Sequence, residues 1–152
     1  MAPLIKNTKP ATDEAHIRRT IETYMFGVDA KDRDALSSCF SPQAEARYHS
    51  GTEDEYLAVG GEAIASRIYE SCRRFSASNH SISNFVTDVQ GAIATSNTFA
   101  VAHVVIGEKG LIRGLRYEDT LHRSESGWVI ARRVHTPLWQ TEVTVETPRF
   151  FR

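Results

Sequence analysis

From Ser78 onward the chain offers four long runs that read as strands, with almost nothing between them. "NHSISNFVTDV", "AIATSNTFAVAHVVI", "LIRGLRYEDTLHRS" and "GWVIARRVHTPLW" are rich in β-branched and aromatic residues, and the breaks are the turn signals "QG", "GEKG" and "SESG". Connections this short join antiparallel neighbours, so the second half must be a meander. The first half has the other periodicity. Ile17, Ile21, Tyr24, Met25 and Val28 recur at helical spacing and predict a helix over about 13–29. A short helix follows near 33–40, then a weakly alternating strand, "AEARYHS", an acidic loop, "GTEDEYLAVGG", and a third helix marked by Ile64, Ile68, Cys72 and Phe75. Helices first and long strands afterwards give an α+β fold, with three helices packed on one face of a curved sheet. A sheet that curls around helices without filling the space encloses a cavity.

With 152 residues, 41% of them hydrophobic, the chain fits one globular domain with a single core. We place its boundaries at 13–140, with residues 1–12 as a lead-in and 141–152 as a tail. The formal net charge of −1 and arginines dispersed among acids argue against nucleic acid or an anionic membrane as partner. No apolar stretch approaches the roughly 20 residues of a membrane span, and no signal-peptide core precedes the first helix, so cytoplasmic residence is the default expectation. Cys39 and Cys72 fall on apolar helix sides without CxxC spacing and read as inert thiols. The six histidines are widely spaced and form no metal motif, so neither a metal nor a cofactor is expected.

Asp29 breaks the first helix's pattern. It lies four residues beyond Met25, on the edge of the apolar stripe, and near a helix C-terminus where the macrodipole disfavours a negative charge. Two roles fit it. It belongs to the turn that precedes the second helix, although Asp32 and Asp34 are better placed to cap, or it serves chemistry in a cavity at the helix end. In the first long strand His80, Ile82, Asn84 and Val86 share a face under regular alternation, and in the second Phe99, Val101, His103 and Val105 do. A single histidine on an apolar face is most often a hydrogen-bonded core residue; two of them near a helix-end carboxylate point to acid–base work. Tyr48 supplies a phenol that needs a partner if buried.

The ordered set "YMFGVDAKDRDALSSCFSP", "ARYHSG", "SNHSISN", "AVAH", "YEDTLHR" and "GWVIARR" resembles the SnoaL-like group of the nuclear transport factor 2-like superfamily, over roughly residues 13 to 140. The resemblance implies a cone-shaped α+β barrel with a mixed, mostly antiparallel sheet. It leaves the activity open, because the scaffold hosts dehydratases, cyclases, isomerases, hydrolases and plain binding modules. Asp29, Tyr48, His80 and His103 fall where the scytalone dehydratase pattern has an aspartate, a tyrosine and two histidines. Lindane dehydrochlorinase is similar at Asp29 and His80, and in a last-strand arginine matched by Arg133. Val28 stands where the dehydratase pattern has a second tyrosine, and Leu115 and Tyr117 where it has serine and asparagine, which implies a substrate other than scytalone.

Eliminating water from a β-hydroxy carbonyl compound needs a base for the α-proton, an acid for the departing hydroxyl and a donor for the enolate oxygen. The resemblance implies His80 as base held by Asp29, His103 as acid or as a sharer of that task with His80, and Tyr48 as donor. Asn84, Tyr117 and Arg133 are expected to position an apolar small-molecule substrate, with Tyr24, Val28 and Phe99 in the wall around it. A polyketide cyclase or ketosteroid-type isomerase would use the same groups. A non-catalytic small-molecule binder, or a subunit like the small subunit of a ring-hydroxylating dioxygenase, would need none of them. Sheets of this type leave an outer face uncovered, so a homodimer or homotrimer is expected. Phe150 and Phe151 would close over the cavity mouth as a lid or belong to an unstructured terminus.

Overall fold

The computed structural model describes residues 12–146 and 148. In chain order the elements are α1 (Asp13–Ala30), α2 (Arg33–Ser38), β1 (Phe40–Tyr48), β2 (Tyr56–Val59), α3 (Gly61–Cys72), β3 (Ala77–Gln90), β4 (Ile93–Ile106), β5 (Lys109–Ser124) and β6 (Gly127–Thr144). The strands form one open sheet in the order β2-β1-β6-β5-β4-β3. Strands β3 to β6 are the expected meander, β2 pairs antiparallel with β1, and β1 runs parallel to β6. The parallel pair is possible because α3 and the meander separate the two strands in sequence.

The helices begin and end where local chemistry dictates. Thr12 caps α1 by accepting from the Ala15 N–H at 3.2 Å, and Lys31 ends it in the left-handed conformation. Asp32 then caps α2, its side chain accepting from the Ala35 N–H at 3.0 Å, which leaves Asp29 free of capping duty. The α1 stripe of Ile17, Ile21, Tyr24, Met25 and Val28 is buried against the sheet with Leu36, Ile64, Ala65 and Ile68. At the start of α3 a Cβ on Gly61 would lie 2.5 Å from the Ser41 carbonyl oxygen, so glycine is what lets that helix sit directly on β1.

Three features depart from the sequence expectation. The acidic loop contains the short edge strand β2, which its flanking acids and glycines disguise. Strand β6 continues to Thr144, paired with Lys109, so the segment from 141 starts as sheet. Phe150 and Phe151, and with them the lid, lie outside the described residues. The third departure is a bulge in β3 between Ile82 and Phe85. One extra residue reverses the alternation, so His80 and Ile82 point to the concave side before it and Phe85, Thr87 and Val89 after it. Further bulges on β6, where Leu138 and Ala131 are the extra residues opposite Gly114/Leu115 and Thr120/Leu121 of β5, add to the curl of the sheet.

Candidate active site

Asp29 joins the end of α1 to the free edge of the sheet. Its Oδ2 accepts the His80 backbone N–H at 2.7 Å, and Oδ1 accepts from Ser78 Oγ at 2.8 Å and from His80 Nδ1 at 2.7 Å. Strand β3 is the outermost strand, so the His80 N–H has no neighbouring strand to bond and is available to the carboxylate. A carboxylate can only accept here, which puts the imidazole proton on Nδ1 and leaves Nε2 as the basic lone pair. Burial pulls the Asp29 carboxyl upward, but the bonds from His80 and Ser78 outweigh it and hold the carboxyl below its ordinary range. The His80 side chain is only 8% exposed.

Beside this pair lies a cavity of about 570 Å³ including its mouth, lined among others by Tyr24, Val28, Tyr48, His80, Tyr117 and His135. The Tyr24 and Tyr48 hydroxyls are 3.0 Å apart in a buried hydrogen bond. Burial, reinforced for Tyr48 by its neighbour Tyr24, keeps both phenols protonated well into the alkaline range. Tyr24 stands one helical turn before Val28, so the chain supplies a second phenol from a different position than the dehydratase pattern does. His135 packs on Tyr48 and Tyr117 with ring centroids 5.3 and 5.1 Å away. Its Nδ1 accepts the His49 backbone N–H at 3.2 Å, so a neutral ring carries its proton on Nε2. Burial, followed by repulsion from His49, Arg113, Arg133 and His80, holds it far below the usual histidine range.

Arg133 does not line the cavity. Its guanidinium is fully buried behind the aromatic wall and makes a two-pronged ion pair with Asp119, Nε to Oδ1 at 2.7 Å and Nη2 to Oδ2 at 2.8 Å. It also lies 4.1 Å from the Tyr24 ring centre and 4.7 Å from that of Tyr117. Burial opposes the charge, and Asp119 more than offsets it, so the group stays cationic. The expectation of direct substrate positioning by Arg133 is therefore corrected: the residue supports the rings that form the wall.

Three other expected residues lie outside the cavity. His103 and Phe99 are exposed on the convex face of β4, whose concave face is Ala94, Ser96, Thr98, Ala100, Ala102 and Val104. Asn84 is turned outward by the β3 bulge. Missed in the sequence were His49, Tyr56, Arg113 and His135, all of which line the cavity. Alternation alone could have found Arg113, since Leu111, Arg113, Leu115 and Tyr117 form one face of β5. Tyr56 was hidden by β2, and His49 by its left-handed backbone at the end of β1, with φ of 55°. Cys39 and Cys72 are free and buried, and burial pushes the Cys39 thiol up to about 12. Among the described residues no three His, Cys, Asp or Glu side chains converge as a metal site would require.

Residues 9–134 match the SnoaL-like domain. The chain belongs to the SnoaL-like domain family. An uncharacterized protein of Mycobacterium tuberculosis is 27% identical over 137 residues, spanning 85% of this chain and 88% of its own length. Among solved structures, a protein of Novosphingobium aromaticivorans whose name proposes a scytalone dehydratase has a TM-score of 0.74 and 21% identity, over 86% of this chain and 87% of that one. A type 2 hexachlorocyclohexane dehydrochlorinase has a TM-score of 0.76 and 15% identity, over 90% of this chain and 94% of that one. At these identities the structural likenesses speak for the fold, which is the nuclear transport factor 2-like α+β cone with an open six-stranded sheet. No helix among the described residues is long and apolar enough to cross a membrane.

Proposed function

We propose that the protein is a cofactor-independent lyase that removes water from a small β-hydroxy carbonyl compound. The observation that carries the reading is the Asp29–His80 pair at the cavity wall, with Nδ1 bonded to the carboxylate and Nε2 free to act. His80 takes the α-proton, and the electrons of that C–H bond become the enolate. The Tyr24–Tyr48 hydroxyl pair donates to the enolate oxygen. As the double bond forms, the C–O bond breaks and the same imidazole returns its proton to the departing hydroxyl, which leaves as water. One imidazole serving both steps requires that proton and hydroxyl leave from the same side. Asp29 fixes the tautomer and stabilises the imidazolium between the two transfers. Neighbours named as a dehydratase and a dehydrochlorinase, both elimination chemistries, support the same class.

The test is a panel of β-hydroxy ketones followed by the ultraviolet absorbance of the conjugated product. Asp29→Asn and His80→Ala should each lower turnover by about 100-fold or more, the scale of a lost acid–base group. His103→Ala should leave it unchanged, because that ring is on the opposite face. Near-wild-type rates in both of the first two variants would remove the basis for the reading. A shifted double bond or a closed ring as product would redirect it to the isomerase or cyclase class that begins with the same proton abstraction. We also propose a homo-oligomer, formed through the convex sheet face, where Val86, Phe99, Leu138 and Trp139 are exposed.

A further inference from the structure

Strand register sets Arg113 at a fixed distance from His80. His80 pairs with Ala102 on β4, and Ala102 pairs with Arg113 on β5, so the three residues form one row across adjacent strands. Neighbouring strands are about 4.8 Å apart, which puts the two outer Cα atoms about 10 Å from each other. Between them Ala102 contributes only a methyl group, so the floor of the cavity stays open along the row. His80 and Arg113 both line that cavity.

Among the described residues Arg113 has no ion-pair partner. Its Nε is buried without a hydrogen-bond partner. Asp54, exposed on the loop after β1, acts on it only through space. A guanidinium half-withdrawn from water with an unpaired donor costs stability unless something else completes it. The groups around it cannot. His49 is held below the ordinary histidine range by burial first and by Arg113 second, and His135 far below it by burial, then His49, then Arg113. Arg67, whose guanidinium lies 3.4 Å from the Tyr56 ring centre, adds a second positive charge at the same end.

We propose that this end of the cavity is an anion subsite, and that the substrate is an acid whose carboxylate pairs with Arg113 while its α-carbon lies against His80. The substrate class is then a compact hydroxy-keto acid in which the carboxylate and the reacting carbon are separated by a few bonds, matched to the span across Ala102. The guanidinium offers two parallel donors to a carboxylate, and the proton on His135 Nε2 supplies a further donor in the same cavity. This rests on reading Asp29–His80 as the reacting end.

The experiment uses two probes of equal shape, 4-oxocyclohexane-1-carboxylate and 4-oxocyclohexane-1-carboxamide. Calorimetric titration measures binding, and proton NMR in D2O measures replacement of the α-protons by deuterium. The wild-type chain should bind the carboxylate about 10- to 100-fold more tightly than the amide, the range for a charge-assisted pair. Arg113→Gln should abolish that preference while keeping the affinity for the amide, which also shows that the variant is folded. Equal affinities in the wild type, a preference that survives in Arg113→Gln, or no binding of either probe would overturn the assignment. Deuterium exchange reports separately on the reacting end, and should be lost in His80→Ala. An Arg113-dependent preference without any exchange upholds the anion subsite and sinks the lyase reading; exchange without a preference does the reverse.

Discussion

Asp119→Asn should be the most damaging single substitution behind the wall of the cavity. It changes one atom of a side chain that is fully buried, and it leaves the Arg133 guanidinium equally buried with no opposite charge. Two charge-assisted bonds at 2.7 and 2.8 Å are lost or weakened, and Arg133 Nη1 already has no hydrogen-bond partner, so nothing nearby can compensate. The expected cost is on the order of 3–5 kcal/mol. Total stabilities of about 5–15 kcal/mol make that a large fraction, and for a chain of this length it lowers the melting temperature by roughly 10 °C. Arg133→Met should cost a similar amount, because it strands the Asp119 carboxylate instead. The double substitution Asp119→Leu with Arg133→Met removes both charges and should cost less than either single change, since an apolar pair of similar volume carries no desolvation penalty. Urea unfolding followed through circular dichroism gives all three values and hence the coupling. Single variants within about 1 kcal/mol of wild type, or a double variant equal to the sum of the singles, would refute a tightly coupled buried pair. The double variant also bears on function: with the guanidinium outside the cavity, KM should hold.

Acid should destabilise the fold through His135. Its folded-state pKa lies far below 6.5, so between those values the unfolded chain binds a proton that the folded chain refuses. Stability therefore falls as pH drops below about 6.5, at roughly 1.4 kcal/mol per pH unit for that group; His135→Gln should flatten the slope measured by urea unfolding between pH 7 and 5, and an unchanged slope would assign it elsewhere. Asp29 acts in the same direction in a lower window: its lowered carboxyl contributes stability at neutral pH that is lost only as pH falls below about 4 through its folded value. For assembly, light scattering should give a multiple of the 17.0 kDa chain mass. Val86→Glu combined with Phe99→Glu should reduce it to one chain without lowering the melting temperature; a wild-type protein already at single-chain mass would refute assembly through the convex face.

The parts of the site that were legible in the sequence are those fixed by local chemistry, and the errors follow from two features that local chemistry does not encode. Asp29 stood out because a charge at the end of an apolar stripe conflicts with both burial and the helix dipole, and Asp32 was the better cap. His80 was placed on the concave side because it precedes the β3 bulge. Asn84 was misplaced because it lies within that bulge, and neither "SISNF" nor its surroundings contains the glycine or proline that would announce one. His103 and Phe99 expose the second failure. Strand β4 has two apolar faces, and the larger side chains, Phe99, Val101, His103 and Val105, suggest the core side. The concave face instead has Ala94, Ser96, Thr98, Ala100, Ala102 and Val104, which share the core with the α1 stripe and, at Ala102 and Val104, line the cavity. Under a helix and a cavity the buried face of a strand must be the small one. Bulk left on the convex face is then surface without a partner inside the chain, which is why the residues that misled the reading of the site are the ones on which the proposed assembly rests. The same smallness opens the row from His80 across Ala102 to Arg113. A larger side chain at position 102 would fill the floor and separate the base from the cation, so the residue least noticeable in the sequence sets the length of the molecule the cavity can hold.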